Sequence, residues 1–181
     1  MGKLETVPAR GRADLLAAPV LAALGSWRAT TDVDDVRVAP IDPALADTAA
    51  FCAAYDVPPE LSANCVIVVG KREGETRFAA CMVLATTRAD VNGAVRRLLD
   101  VRKASFAPMD VAVAETGMEY GGITAIGLPP DWPILVDAAV AATPEVVIGS
   151  GVRHSKIALP GAALGALPGA RVVDGLANPV G

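Results

Sequence analysis

The sequence predicts an α+β fold on a mixed, curved sheet, and three observations carry that expectation. Apolar runs of strand length recur along the chain, as in CVIVVG from Cys65, FAACMVLAT and EVVIGSG. Short helical stretches fall between them without the regular strand–helix alternation of a parallel α/β protein. Hydrophobic residues make up 52% of the 181 residues and aromatics only 4%, so the core is to be built from Ala, Val, Leu and Ile. A chain of this length can bury such a core as one domain over residues 1–181, with loose ends expected over residues 1 to about 12 and the last few.

Each element follows from local chemistry. A first helix is expected from Ala13 to Leu24, stopped by Gly25 and kinked or split by Pro19. Val36, Val38 and Ile41 alternate in DDVRVAPID and read as a strand. Asp42 can cap a second helix with Pro43 at its first position, running to about Tyr55. CVIVVG and FAACMVLAT, joined by the charged KREGETR around Gly74, read as a buried hairpin. Asp90 begins a helix through Leu99 that sets Val91, Val95, Leu98 and Leu99 on one face. A short helix from Met109 to Glu115 precedes a glycine-rich segment. ILVD, EVVIGSG, KIAL and ARVVDGL then read as strands, with helical turns at Ala138–Ala141 and PGAALGAL.

Composition narrows the function. Net charge is −4, so no blanket surface for DNA or membrane is expected. Charge is uneven, however. Between Lys71 and Lys103 eight basic residues face four acidic ones, which makes that segment +4 and the rest −8. Such a face suits contact with a polyanion, although a merely solvated face is the other reading. Cys52, Cys65 and Cys81 are odd in number and lack CxxC spacing, so buried free thiols are expected rather than disulfides or a zinc site. No charge-free apolar run approaches the roughly 18 residues of a membrane span, and no signal peptide is legible, which points to the cytoplasm.

Side chains offer little catalytic machinery. His154 is the one histidine, no serine sits in a GxSxG elbow, and no His/Asp/Glu cluster has ligand spacing, so neither metal nor cofactor is expected. His154 reads as an exposed or loop-bridging residue. GSGVRHSK has glycines but not the order of a phosphate loop. The backbone remains: ETGMEYGGITAIGLP carries Gly117, Gly121, Gly122 and Gly127, and Ser150-Gly151 adds a second small turn. Their N–H groups can hold a carbonyl oxygen that gains negative charge under attack by water.

The order of these signals is distinctive. A hairpin, a helix, Ala107, an ETG, GGITxxG, LVD, a strand ending GSG, an arginine, an apolar strand and a final VVD follow one another. From about Val36 to Leu176 this resembles the YbaK and prolyl-tRNA-synthetase-associated editing domains, which are aminoacyl-tRNA deacylases. The resemblance implies a YbaK-like, strongly curved and nearly closed mixed sheet packed with helices. It also implies a pocket for the 3′ aminoacyl-adenosine end of a mischarged tRNA and hydrolysis of that ester.

Two positions depart from the family pattern. The family's GxxxP loop is here Gly121 to Ala125, with alanine for proline. The family's substrate-contacting lysine aligns with Asn64, which offers neutral hydrogen bonds only. A charged donor is worth about 1–2 kcal/mol more than a neutral one, roughly tenfold in rate. On this resemblance Gly121, Gly122, Thr124 and Asn64 are the candidate catalytic positions. Ile123, Ala125, Ser150, Gly151, Arg153 and His154 are the candidate substrate contacts. The structural alternatives are a turn hydroxyl for Thr124, a strand-start cap for Asn64 and a loop charge for Arg153; Asp137 is expected to cap the next helix. The expected function is trans-acting deacylation of a tRNA carrying a small amino acid. The alternative is a catalytically impaired module that binds a tRNA 3′ end, a nucleotide-like ligand or a protein partner. A hydrolase built on His154 is a third.

Overall fold

The computed structural model describes residues 2–29 and 31–180. Strand β1 (Val7–Pro8) leads into helix α1 (Ala18–Gly25), which begins five residues later than the sequence suggested. Pro19 lies in its first turn, where the missing N–H costs nothing, so it starts the helix rather than kinking it. Strand β2 (Arg37–Pro40) follows. Asp42 then caps only a 3-10 turn, its carboxylate accepting the Ala44 N–H at 2.9 Å. The helix proper, α2 (Thr48–Tyr55), starts after Asp47 and buries Phe51 and Cys52.

The central hairpin is longer than its apolar letters indicated. Strands β3 (Ala63–Arg72) and β4 (Glu75–Leu84) pair along their whole length, from Ala63↔Leu84 to Arg72↔Glu75. Glu73 and Gly74 close it with φ of 53° and 88°, the conformation of a tight two-residue hairpin turn. Strand β5 (Thr87–Ala89) follows, and Asp90 caps the next helix by accepting from Gly93 and Ala94. That helix opens as a π turn over Val91–Val95 and continues as α3 (Arg96–Leu98). Strand β6 (Ala104–Phe106) and helix α4 (Met109–Thr116) lead to Gly117, whose φ of 65° ends the helix.

After the glycine segment come β7 (Ile134–Asp137), α5 (Ala138–Ala142), β8 (Val146–Gly149), β9 (Ser155–Leu159), α6 (Gly161–Gly165), β10 (Ala170–Val173) and β11 (Ala177–Pro179). Asp137 caps α5 through the Ala139 N–H and also receives the Ala177 N–H, tying the chain end to the sheet.

The strands divide between two main sheets. One has the order β1-β2-β9-β8 and is antiparallel; the other has the order β10-β7-β4-β3-β6 and is mixed, with β4-β7-β10 parallel. Strands β5 and β11 form a separate pair. The fold is α+β with mixed sheets, and among the described residues the two main sheets meet through a single parallel bridge, Ser62 to Val147. Their largest shared core sets Val20, Leu24, Val36 and Val38 against Met82, Ile126, Ile148, Ile157 and Leu159. Among these described residues the core is aliphatic, as the composition required.

Candidate functional site

The Ser62–Val147 bridge is where β3 and β8 part, and a cavity of about 440 Å³ fills the gap beyond it. Strand β3 pairs with β4 throughout but with β6 only from Val68 to Gly70. Its opposite edge between Ala63 and Val66 therefore has no second strand alongside and lines the cavity. Gly149 and Lys156 of the β8–β9 hairpin, Gly121 and Ile123 of the glycine segment, and Thr48 of α2 complete the wall. Phe106, Met109 and Tyr120 stand at the rim, each more than half exposed.

The glycines press main chain against main chain. A Cβ on Gly122 would strike the Val152 backbone, and one on Gly149 would strike the carbonyl oxygens of Gly122 and Ile123. Hydrogen bonds fix this contact: Gly151 N–H donates to Gly122 O at 2.7 Å, Glu119 N–H to Gly151 O at 2.8 Å, and Gly122 N–H to Glu119 O at 2.9 Å. Gly121 is held at φ 84° beside them. Among the described residues the N–H groups of Gly121 and Ile123 meet no acceptor, whereas that of Gly122 is used within the turn.

Three of the expected site residues thus line the cavity: Asn64, Gly121 and Ile123. Asn64 lies on β3, and its side-chain oxygen accepts from the Thr48 hydroxyl at 2.7 Å, leaving its NH₂ as the free donor. The others lie behind the wall. Thr124 and Ala125 are buried in the core; among the described residues the Thr124 hydroxyl has no partner, and its N–H faces Met118 Sδ at 3.4 Å. Ser150 and Gly151 brace the turn, with the Ser150 hydroxyl receiving the Ser155 hydroxyl at 2.7 Å. Arg153 straps loops together, donating to Tyr120 O and Pro43 O at 3.1 Å each. His154 bridges to the N-terminal segment, with Nε2 2.9 Å from Asp14 O.

Sequence reasoning missed Lys156. In β9, Ile157 and Leu159 enter the main core, while Lys156 turns to the cavity side and remains 9% exposed. Its Nζ donates to Ala46 O at 3.0 Å and lies 5.3 Å from the centroid of the Phe51 ring. Burial lowers its pKa from the ordinary lysine value; the Arg153 charge adds to that, against the opposing influence of Cys52 and Asp47. A charged letter between Ser155 and Ile157, inside a strand otherwise buried, was the available signal. The cysteine at the wall behaves differently: burial, then the neighbouring Cys81, pushes the Cys65 thiol far up, so it stays protonated and is no nucleophile at neutral pH.

Two sheets parted around a cavity walled by a strand edge and glycine backbone place this protein among the YbaK-like folds. A solved structure described as a candidate trans-editing enzyme for prolyl tRNA synthetase superposes with a TM-score of 0.72 at 22% identity, covering 87% of this chain and 94% of that one. A scaffold from epitope backbone grafting by computational design gives 0.72 at 22% identity, over 87% and 95% of the two chains. A hypothetical protein gives 0.70 at 20% identity, over 79% and 91%. No curated protein sequence matches at a significant level. Residues 42–167 match the family model for the aminoacyl-tRNA editing domain, and the chain belongs to that family.

Proposed function

We propose that this protein is a trans-acting aminoacyl-tRNA deacylase, cytoplasmic and built as one editing domain over residues 1–181, that hydrolyses the ester of a mischarged tRNA carrying a small amino acid. The observation that carries the reading is the Gly121 N–H, unengaged among the described residues and held at the cavity wall by a glycine-packed turn. Water adds to the ester carbonyl, and the bond from the acyl carbon to the ribose oxygen breaks. The free amino acid leaves, and a proton of the water goes to the released ribose oxygen, which becomes the hydroxyl. A backbone donor stabilises the oxygen that gains charge in this addition without an ionisable side chain. Asn64, anchored by Thr48, orients the substrate through its free NH₂.

Two further features support a tRNA end as the ligand. Arg88, Arg96, Arg97, Arg102 and Lys103 are exposed, and Lys103 directly precedes β6, which carries the rim residue Phe106. Those charges suit a phosphate backbone leading to the cavity mouth. Ile67 and Ile148 furnish apolar wall, suited to a small aliphatic or thiol side chain. The structural relative described for prolyl tRNA synthetase supports looking first at tRNA for proline charged with the wrong amino acid.

The test is hydrolysis of tRNAs mischarged with Ala, Cys or Ser, with Gly121→Pro as the control whose ring cannot adopt φ 84°. Turnover above background that the control loses is expected. A folded protein inert on every ester would instead favour the binding-module reading, for which the neutral Asn64 is the supporting observation.

A further inference from the structure

We infer that Lys156 is the charged donor of this cavity, and that its ammonium takes the acyl oxygen that becomes negative when the substrate ester is attacked. This rests on the deacylase reading and adds a residue to it. Among the described residues only two charged side chains are buried, Asp137 and Lys156. Asp137 is accounted for by the two N–H groups it receives. Lys156 has no carboxylate within ion-pairing distance among the described residues; its one hydrogen bond goes to a main-chain carbonyl. An ammonium carries three donors, so the others are left for whatever enters the cavity.

Burying an unpaired cation is unfavourable, and an apolar residue at 156 would suit the aliphatic surroundings of β9 better. Unpaired buried charge beside a cavity marks a place where a ligand supplies the missing partner. The ligand atom is constrained by sign. The α-amino group of an aminoacyl ester is itself cationic and is repelled by the ammonium. The acyl oxygen is the atom whose negative charge grows during the reaction. Gly149, the β8 residue paired with Lys156, lies against Gly122 and Ile123, so the lysine stands on β9, the strand next to the one that backs the glycine turn. The Gly121 N–H and the Lys156 ammonium then form a two-donor site, one fixed in the main chain and one charged.

The experiment compares the wild-type protein with Lys156→Met in two assays. In single-turnover deacylation the rate constant should fall on the order of 10²-fold, with KM within about twofold, because the contact is made in the transition state. The second assay is binding of an adenosine 3′-(1-aminoethyl)phosphonate, whose charged tetrahedral oxygens imitate the attacked carbonyl, beside adenosine itself. Lys156→Met should weaken the phosphonate by about tenfold or more and leave adenosine unchanged. If Lys156→Met melts early, Lys156→Gln, which can still donate to Ala46 O, makes the same comparison.

Equal rates and equal phosphonate affinities overturn the inference while keeping the deacylase. So does a rise in KM alone, which would place the ammonium on a ground-state phosphate, or an equal loss of adenosine and phosphonate, which would mean a collapsed pocket. A wild type that binds phosphonate through Lys156 yet cleaves no ester keeps the lysine site and removes the deacylase. A wild type that neither cleaves nor binds removes both.

Discussion

The Thr48 hydroxyl donates to the side-chain oxygen of Asn64 across 2.7 Å, joining the first turn of α2 to the open edge of β3. That bond fixes which end of the amide faces the cavity. Thr48→Val frees the amide to rotate, and deacylation kcat/KM should fall about 3–10-fold, the worth of one such bond. The double variant with Asn64→Ala should be no slower than Asn64→Ala alone, since Thr48 acts only through Asn64. Additive losses in that cycle would give Thr48 a separate contact with substrate.

Gly149 illustrates a glycine required by proximity rather than by its own dihedral angle. Its Cβ position is occupied by carbonyl oxygens of Gly122 and Ile123, and backbone cannot swing aside as a side chain can. Gly149→Ala should cost about 2–3 kcal/mol in urea unfolding and loosen the donor turn. Gly25→Ala, at the open end of α1 with nothing within 4 Å, is the matched control and should stay within about 0.5 kcal/mol of wild type. Equal effects at both sites would disprove the close-packing account.

Lys156 links the cavity to stability through pH. Its folded-state pKa lies below the ordinary value of 10.5, with burial the main cause. At a pH under both values the lysine is charged in the folded and the unfolded chain, and the cost of burying it is fully present. As pH rises past the folded value towards 10.5, the unfolded chain holds the proton longer, so wild-type stability climbs relative to Lys156→Met. Urea titrations of both proteins from pH 7 to pH 10.5 should show the curves converging, with Lys156→Met as stable as wild type or more so at pH 7. Cys52, Asp47 and Arg153 act on the same ammonium, and their opposing signs leave burial in control.

Thr124 carries a buried hydroxyl with no partner among the described residues. Thr124→Val keeps the shape and removes the unsatisfied group, so stability should rise by about 1 kcal/mol with deacylation unaltered. A rate loss above about tenfold would restore Thr124 as a catalytic position.

Strands β2, β7, β8, β9 and β10, the central hairpin and the caps at Asp90 and Asp137 were legible because each depends on a few adjacent residues. The entry to α1 lies after the expected Ala13 because Pro19, expected to kink or split the helix, belongs in its first turn. Strands β5 and β11 escaped notice because each is three residues long and exists only through pairing with the other, far along the chain. The glycine segment was found, but its division of labour was not. Which N–H stays free depends on Glu119 and Gly151, residues whose approach no local pattern encodes. Lys156 was passed over for the same reason: a lysine in a strand reads as solvated until the neighbouring sheet is seen to cover it.

Among the described residues one bridge, Ser62 to Val147, joins the two sheets on the cavity side of β3. The breadth of the chamber is consequently set by side chains such as Ile67 and Ile148 and not by a continuous ladder of main-chain hydrogen bonds. Exchanging one of those side chains for a larger or smaller one would resize the space offered to an amino acid while every strand pairing stays intact. Preference among cargoes can therefore drift in small mutational steps, uncoupled from the architecture that holds the reacting groups.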